Sequence, residues 1–183
     1  MNKIQTRIQP AGNLRLFAES REIRGIAILF NQQTLIGDLF YETILPDAVN
    51  DLLYQDVRCL LNNDKNLIVG RTKSKTLVLK KTNIGLEYYA TLPNSTTGNA
   101  LLENIKLGNI TNSAASYIVE KDSWSKLPNG SSLRTILKIK QLFSVGPFTW
   151  GTEQNTTVGK SKSMSDLISR ARHLKILSLK LHS

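Results

Sequence analysis

The chain has 183 residues, 40% of them hydrophobic, and a formal net charge of +10 at pH 7. That is enough for one domain of ordinary size plus an extension, too apolar for wholesale disorder, and basic enough to favour an anionic partner, either nucleic acid or an acidic protein surface. No apolar run approaches the roughly 20 residues of a membrane-spanning helix; the N-terminus, M-N-K-I-Q-T-R-I-Q, lacks the apolar stretch of a secretory signal; and the single cysteine, Cys59, excludes an internal disulfide and a cysteine-rich zinc site.

Residues 7–19 read as two short strands around a Pro-Ala-Gly-Asn turn. Residues 23–30 form a strand that is apolar on both faces from Ile26 onward, which predicts a central position in a sheet. Residues 40–44 alternate, and Pro46-Asp47 then opens a short helix through Leu53. The stretch 56–72, D-V-R-C-L-L-N-N-D-K-N-L-I-V-G-R-T, predicts strand, turn and strand. Val57, Cys59 and Leu61 point one way and Arg58, Leu60 and Asn62 the other, and Cys59 is expected in the core rather than as a nucleophile. The turn falls on Asn62-Asn63-Asp64, residue types that tolerate left-handed backbone and hydrogen-bond their own turns.

Residues 76–79 and 85–92 predict a hairpin around residues 80–84, with Leu86, Tyr88, Ala90 and Leu92 on one face. Thr97 is the expected N-cap of a helix carrying Leu101, Leu102 and Ile105, and Gly108 closes it at C′. Residues 110–119 are strand-like and rich in small side chains; residues 124–132 read as a turn or loop. Residues 133–145 are the longest alternating segment, with Leu133, Thr135, Leu137, Ile139, Gln141 and Phe143 expected to face one way and Gly146-Pro147 to end it. A polar linker over residues 152–163 leads to a capping-box pattern, Ser163 with Asp166, ahead of Leu167, Ala171, Leu174, Leu177 and Leu181 at helical spacing. The expected architecture is therefore α+β and strand-rich: a small β-barrel-like core with short flanking helices over residues 1–155, then a linker and a basic amphipathic helical arm over 156–183.

Taken alone, the residues offer little chemistry. The only histidines, His173 and His182, stand in the arm, so no serine triad or metal cluster can be assembled in the main domain from residue types alone, and no metal or cofactor is expected. Asp51 with Asp56 and Glu120 with Asp122 read as solvated surface carboxylates. Cations gather in two places: Arg71, Lys73, Lys75, Lys80 and Lys81, and the arm, where Lys160, Lys162, Arg170, Arg172, Lys175 and Lys180 face one acid, Asp166. These six are the expected anion- or partner-binding residues.

The order of short motifs says more. G-I-A-I-L-F-N at 25–31, F-Y-E-T-I-L-P-D-A-V at 40–49, D-V-R-C-L-L-N-N-D followed by I-V-G-R-T within 56–72, G-L-E-Y-Y-A-T-L-P-N-S-T-T-G from 85 and L-L-E-N-I-K-L-G-N-I from 101, and L-F-S-V-G-P-F-T at 142–149 come in succession. Together they resemble the tailed-phage prohead serine protease family, which is related in fold to the herpesvirus assemblins. The resemblance covers most of the chain up to about residue 158 and implies that family's fold.

It also implies where catalytic residues should stand. The family's histidine, in N-H-D, falls on Asn63; its serine, in G-M-S-F, falls on Ala114; the acidic residue of L-x-E-V-S falls on Ser144. An asparagine amide accepts no proton near neutral pH, alanine has no nucleophilic atom, and serine supplies no charge to an imidazolium. Ser113 and Ser116 are the fallback nucleophiles; Ser116 shares the face of Ala114, and Ser113 points the opposite way. The expectation is thus a chain that is not an enzyme, in which Asn63 holds a turn: a structural phage protein, auxiliary capsid component or assembly factor, on a protease fold without its catalysis. The alternative is an active capsid maturation protease processing capsid or scaffold protein. The implied partner is the major capsid protein, with packaged DNA reached through the arm, or the arm docked on its own domain. A homo-oligomer and a place in the virion or, during assembly, the host cytoplasm follow the same resemblance.

Overall fold

The structure is a computed structural model that describes residues 3–9 and 14–149. Seven strands make the first sheet: β1 (Gln5–Ile8), β4 (Thr34–Ile36), β5 (Phe40–Ile44), β6 (Arg58–Leu60), β7 (Ile68–Arg71), β10 (Asn112–Lys126) and β11 (Ser132–Phe148). Its order is β1-β10-β11-β5-β4, with β6 on β11 and β7 on β6. The second sheet runs β2 (Leu14–Phe17), β3 (Glu22–Leu29), β9 (Gly85–Thr91), β8 (Leu77–Lys81). One α-helix, α1 (Thr96–Lys106), and the 3-10 turns Pro46–Leu52 and Leu61–Asn63 complete the described elements.

The α+β, strand-rich expectation holds, but the barrel-like core does not. Among the described residues the strands form two separate sheets and close no ring. The core lies between them, where Ile23, Ile28, Leu86 and Tyr88 of the second sheet meet Tyr117, Ile139, Leu142 and Val145 of the first. The two short strands expected around the Pro-Ala-Gly-Asn turn do not pair with each other: β1 pairs with β10 and β2 with β3, so they belong to different sheets. The linker and helical arm of residues 156–183 lie outside the described residues.

Strand β3 is central, between β2 and β9, as its two-sided apolar sequence predicts. Leu86, Tyr88, Ala90 and Leu92 are all buried on one face of the β8–β9 arm. The cap of helix α1 stands two residues before the expected one: Ser95 Oγ accepts from the Gly98 amide at 3.2 Å, which draws Thr96 and Thr97 into the first turn. Gly108, at φ +77, ends the helix in the expected place.

The largest departures are in the hairpin of β10 and β11. Residues 124–126 belong to β10 rather than to a loop, because Trp124 has partners: its ring meets Phe40 edge-on at 4.9 Å, and Arg134 lies over it across the strand pair. Strand β11 continues through Gly146 and Pro147 to Phe148. Its inward residues are Ile136, Ile139, Leu142 and Val145, not the predicted alternating set. Pairing slips at several bulges, including between Ser116/Tyr117 and between Lys121/Asp122, and each extra residue reverses which side chains face inward.

Two parallel strands share one edge of β11: β5 beside residues 133–136 and β6 beside residues 144–145. The stretch between them is bridged by Gln55, whose carboxamide accepts from the Leu142 amide at 2.9 Å and donates to the Lys140 carbonyl at 3.0 Å. A side chain thus substitutes for the missing strand. Gln55→Leu is expected to cost about 1–2 kcal/mol, since both backbone groups lose a partner beside partly buried surface; urea unfolding checks this.

Candidate active site

The stretch 56–72 folds as strand, turn, strand, shorter at its start than expected. Asn62 and Asn63 both take left-handed backbone, at φ 53 and φ 58, which suits asparagine better than most residues. The Asp64 carboxylate accepts from the Asn66 amide at 2.8 Å, and Leu61 exchanges backbone bonds with Asp64 and Leu67. Arg71 grips Asp56 with two hydrogen bonds, at 2.8 and 2.5 Å, and holds that carboxyl at about 2. This exposed clamp is therefore present above the ordinary carboxylate range and is lost as pH falls toward 2.

The turn is tied to β11 at two adjacent residues. Asn62 Oδ1 accepts from the Thr149 amide at 2.8 Å and its hydroxyl at 2.9 Å. Asn63 Oδ1 accepts from Ser144 Oγ at 2.5 Å. Close approach of β11 to the end of β6 needs Gly146, because a Cβ there would collide with the Leu60 carbonyl and φ is +153.

From Asn63 the hydrogen bonds continue. Its amide nitrogen donates to Thr6 Oγ1 at 3.3 Å, and Thr6 Oγ1 lies 2.8 Å from Ser116 Oγ. Strand pairing explains the convergence: Ser116 stands opposite Ser144 on one side and opposite Thr6 on the other. Ser116 and Ser144 are each only 3% exposed, while Thr6 and Asn63 are half-buried and form the rim. Beside Ser144 stands Arg58, in a shallow groove of about 470 Å³ that Gln55, Asp56, Lys140, Gln141 and Leu142 also line.

Of the residues singled out from sequence, the structure brings Asn63, Ser144 and Ser116 together. Ala114 is buried two residues along, opposite Gly146 and Ile8. Ser113 is fully buried on the other face, with its hydroxyl 2.9 Å from that of Tyr88, in space that Gly25 leaves open. Cys59 is buried, and burial pushes its thiol up, away from thiolate chemistry. Among the described residues no His, Cys, Asp or Glu cluster is arranged to hold a metal ion. Lys160, Lys162, Arg170, Arg172, Lys175 and Lys180, with both histidines, lie outside the described residues.

Sequence reasoning missed Thr6. A four-residue strand remote in sequence gives no signal of what it will face. Its placement comes from the opposite face of β1, where Arg7 meets Glu42 through Nε at 2.6 Å and Nη2 at 2.9 Å, and Arg134 reaches the same carboxylate at 3.1 Å. Gln5 Oε1 accepts from both guanidinium groups at 3.0 Å. Burial lowers the Arg7 pKa, but the Glu42 hydrogen bond and charge outweigh it and leave the guanidinium above its ordinary value.

A family model described as caudovirus prohead serine protease matches residues 11–169. Among solved structures, that of the bacteriophage T4 capsid assembly protease, gp21, is similar at TM-score 0.48 and 16% identity, covering 82% of this chain and 100% of that one. No curated protein matches the chain. The family match corrects the expectation that this chain is not an enzyme, since the family is one of serine proteases, and it favours the active maturation protease over the auxiliary structural component. It gives the chain a role connected with capsid assembly. The chain belongs to the caudovirus prohead serine protease family.

Proposed function

We propose that this protein is a capsid maturation protease that cuts capsid or scaffold protein during prohead assembly in the host cytoplasm, with Ser116 as its nucleophile. The observation that carries the reading is the convergence of Ser116, Thr6, Asn63 and Ser144 into one hydrogen-bonded row in a serine protease family member. In this reading Ser116 Oγ attacks the scissile carbonyl carbon and the peptide C–N bond breaks. The hydroxyl proton reaches the leaving amine by way of water, and a second water hydrolyses the acyl-enzyme ester. Asn63 accepts no proton near neutrality, so it serves as a hydrogen-bonding group that orients the row, and turnover is slow. Ser116 is 3% exposed, so in this reading a polypeptide reaches it only when the rim of Thr6 and Asn63 shifts.

The partner in this reading is the capsid protein or scaffold, with the six cations of residues 160–180 as the surface that meets it; packaged DNA and a second copy are the other readings of the arm. Removal of residues 158–183 is expected to weaken prohead binding and flatten its salt dependence, as sedimentation at two salt concentrations measures. The protease reading is tested by incubating the protein with its capsid precursor and following fragments by mass spectrometry. Time-dependent, site-specific products that depend on Ser116 support it; an intact precursor under assembly conditions rejects it.

A further inference from the structure

We infer that Thr6 is a positioning residue of this site, contributed by an N-terminal strand outside the family-matched residues 11–169, and that it passes a hydrogen bond from Asn63 to Ser116. The inference rests on Ser116 as nucleophile. The direction of the row follows from the inventory of donors. Asn63 Oδ1 only accepts, so Ser144 donates to it. Asn63 Nδ2 only donates, so Thr6 Oγ1 accepts from it. The hydroxyl proton of Thr6 is then free to point at Ser116 Oγ, 2.8 Å away.

A donor aimed at the nucleophilic oxygen does two things. It fixes the Ser116 rotamer, and it stabilises negative charge that develops on Oγ as the hydroxyl proton departs, which leaves the proton of Ser116 itself available for removal. Thr6 is well placed for this because its strand cannot slide. Arg7 is locked to Glu42 on the other face, the Gln9 amide donates to the Ser113 carbonyl at 2.7 Å, and Asn112 Nδ2 donates to the Gln9 carbonyl at 3.1 Å. Side-chain alternation along β1 then sends Thr6 to Ser116 and Ile8 to Ala114, while Gln5 and Arg7 take the ionic cluster.

A purely structural Thr–Ser cross-strand pair would make the same contact, and two variants separate the roles. Thr6→Val keeps the volume and branching of the side chain and loses the hydroxyl; Thr6→Ser keeps the hydroxyl. With the capsid precursor as substrate, Thr6→Val is expected to lower kcat about ten- to a hundredfold at little-changed KM, and Thr6→Ser to stay within about threefold of the parent. Ser116→Ala in the same assay separates the two ideas. If Ser116→Ala is dead and Thr6→Val cleaves as fast as the parent, the Thr6 inference is overturned and the protease reading stands. Equal losses in Thr6→Val and Thr6→Ser also overturn it, since the hydroxyl then plays no part. If Ser116→Ala cleaves normally, the assignment of Ser116 as nucleophile and the Thr6 inference fall together, and the cleavage has another nucleophile; if the parent itself leaves the precursor intact, the protease reading falls.

Discussion

Ser116→Ala is expected to abolish cleavage of the capsid precursor while leaving the fold in place, with a rate loss on the order of 10³-fold or more. The substitution deletes the hydroxyl oxygen assigned as the nucleophile and leaves the Thr6 and Ser144 hydroxyls in place. Structurally it is mild: Thr6 keeps its bond from Asn63, the backbone pairing to Thr6 and Ser144 is untouched, and the new methyl group sits beside the buried Ala114. A stability loss of about 1 kcal/mol is the expected cost of one missing hydrogen bond. Ser113→Ala is the matched control, and its pattern is reversed. It leaves the fully buried Tyr88 hydroxyl without its partner and is expected to cost about 1–3 kcal/mol in stability, yet it faces the core and leaves the cleavage rate unchanged. Full activity in Ser116→Ala together with none in a folded Ser113→Ala would move the nucleophile to the other face of β10.

Asn63→His is expected to raise the cleavage rate about 10²-fold at pH 8, because it places a group that accepts protons near neutrality at the position from which the row is organised. Histidine is among the few residue types enriched at positive φ, so the backbone at φ 58 tolerates the exchange. The pH profile is the sharper readout. The parent row contains hydroxyl groups and an amide, none of which titrates near neutrality, so its rate is expected to climb with pH as hydroxide becomes available, without an inflection between pH 6 and 8. The imidazole variant is expected to rise through about pH 6.5 and then level off, because neutral imidazole is the base and protonation below its pKa removes it. A parent profile that already inflects near pH 6.5, and loses the inflection in His173→Gln or His182→Gln, would show that the base comes from the C-terminal arm instead.

Much of the fold was legible because it is written in local pattern. The two-sided apolar run of β3, the buried face of Leu86, Tyr88, Ala90 and Leu92, and the Asn62-Asn63 turn with its left-handed backbone all follow from period and residue type. The β10–β11 hairpin was only half legible. Its length depends on Trp124 finding Phe40, a contact between residues far apart in the chain, and its facing depends on bulges, which leave no mark in residue periodicity. The same bulge between Ser116 and Tyr117 lies beside the residue that meets Asn63's row.

Sequence motifs in order resemble the prohead protease family to which the chain belongs, and that resemblance, not composition or spacing, implied that Asn63 and Ser144 share a site. They also led to the conclusion that the chain is not an enzyme, which the family match corrects. The motif comparison laid the nucleophile on Ala114, and no one-dimensional comparison weighs a position by what stands across the sheet from it. Only the tertiary structure puts Ser116 opposite Ser144 and Thr6: the first pairing depends on the bulged register of the β10–β11 hairpin, and the second on antiparallel pairing with β1, more than a hundred residues away in sequence and held in place by the salt bridge from Arg7 to Glu42.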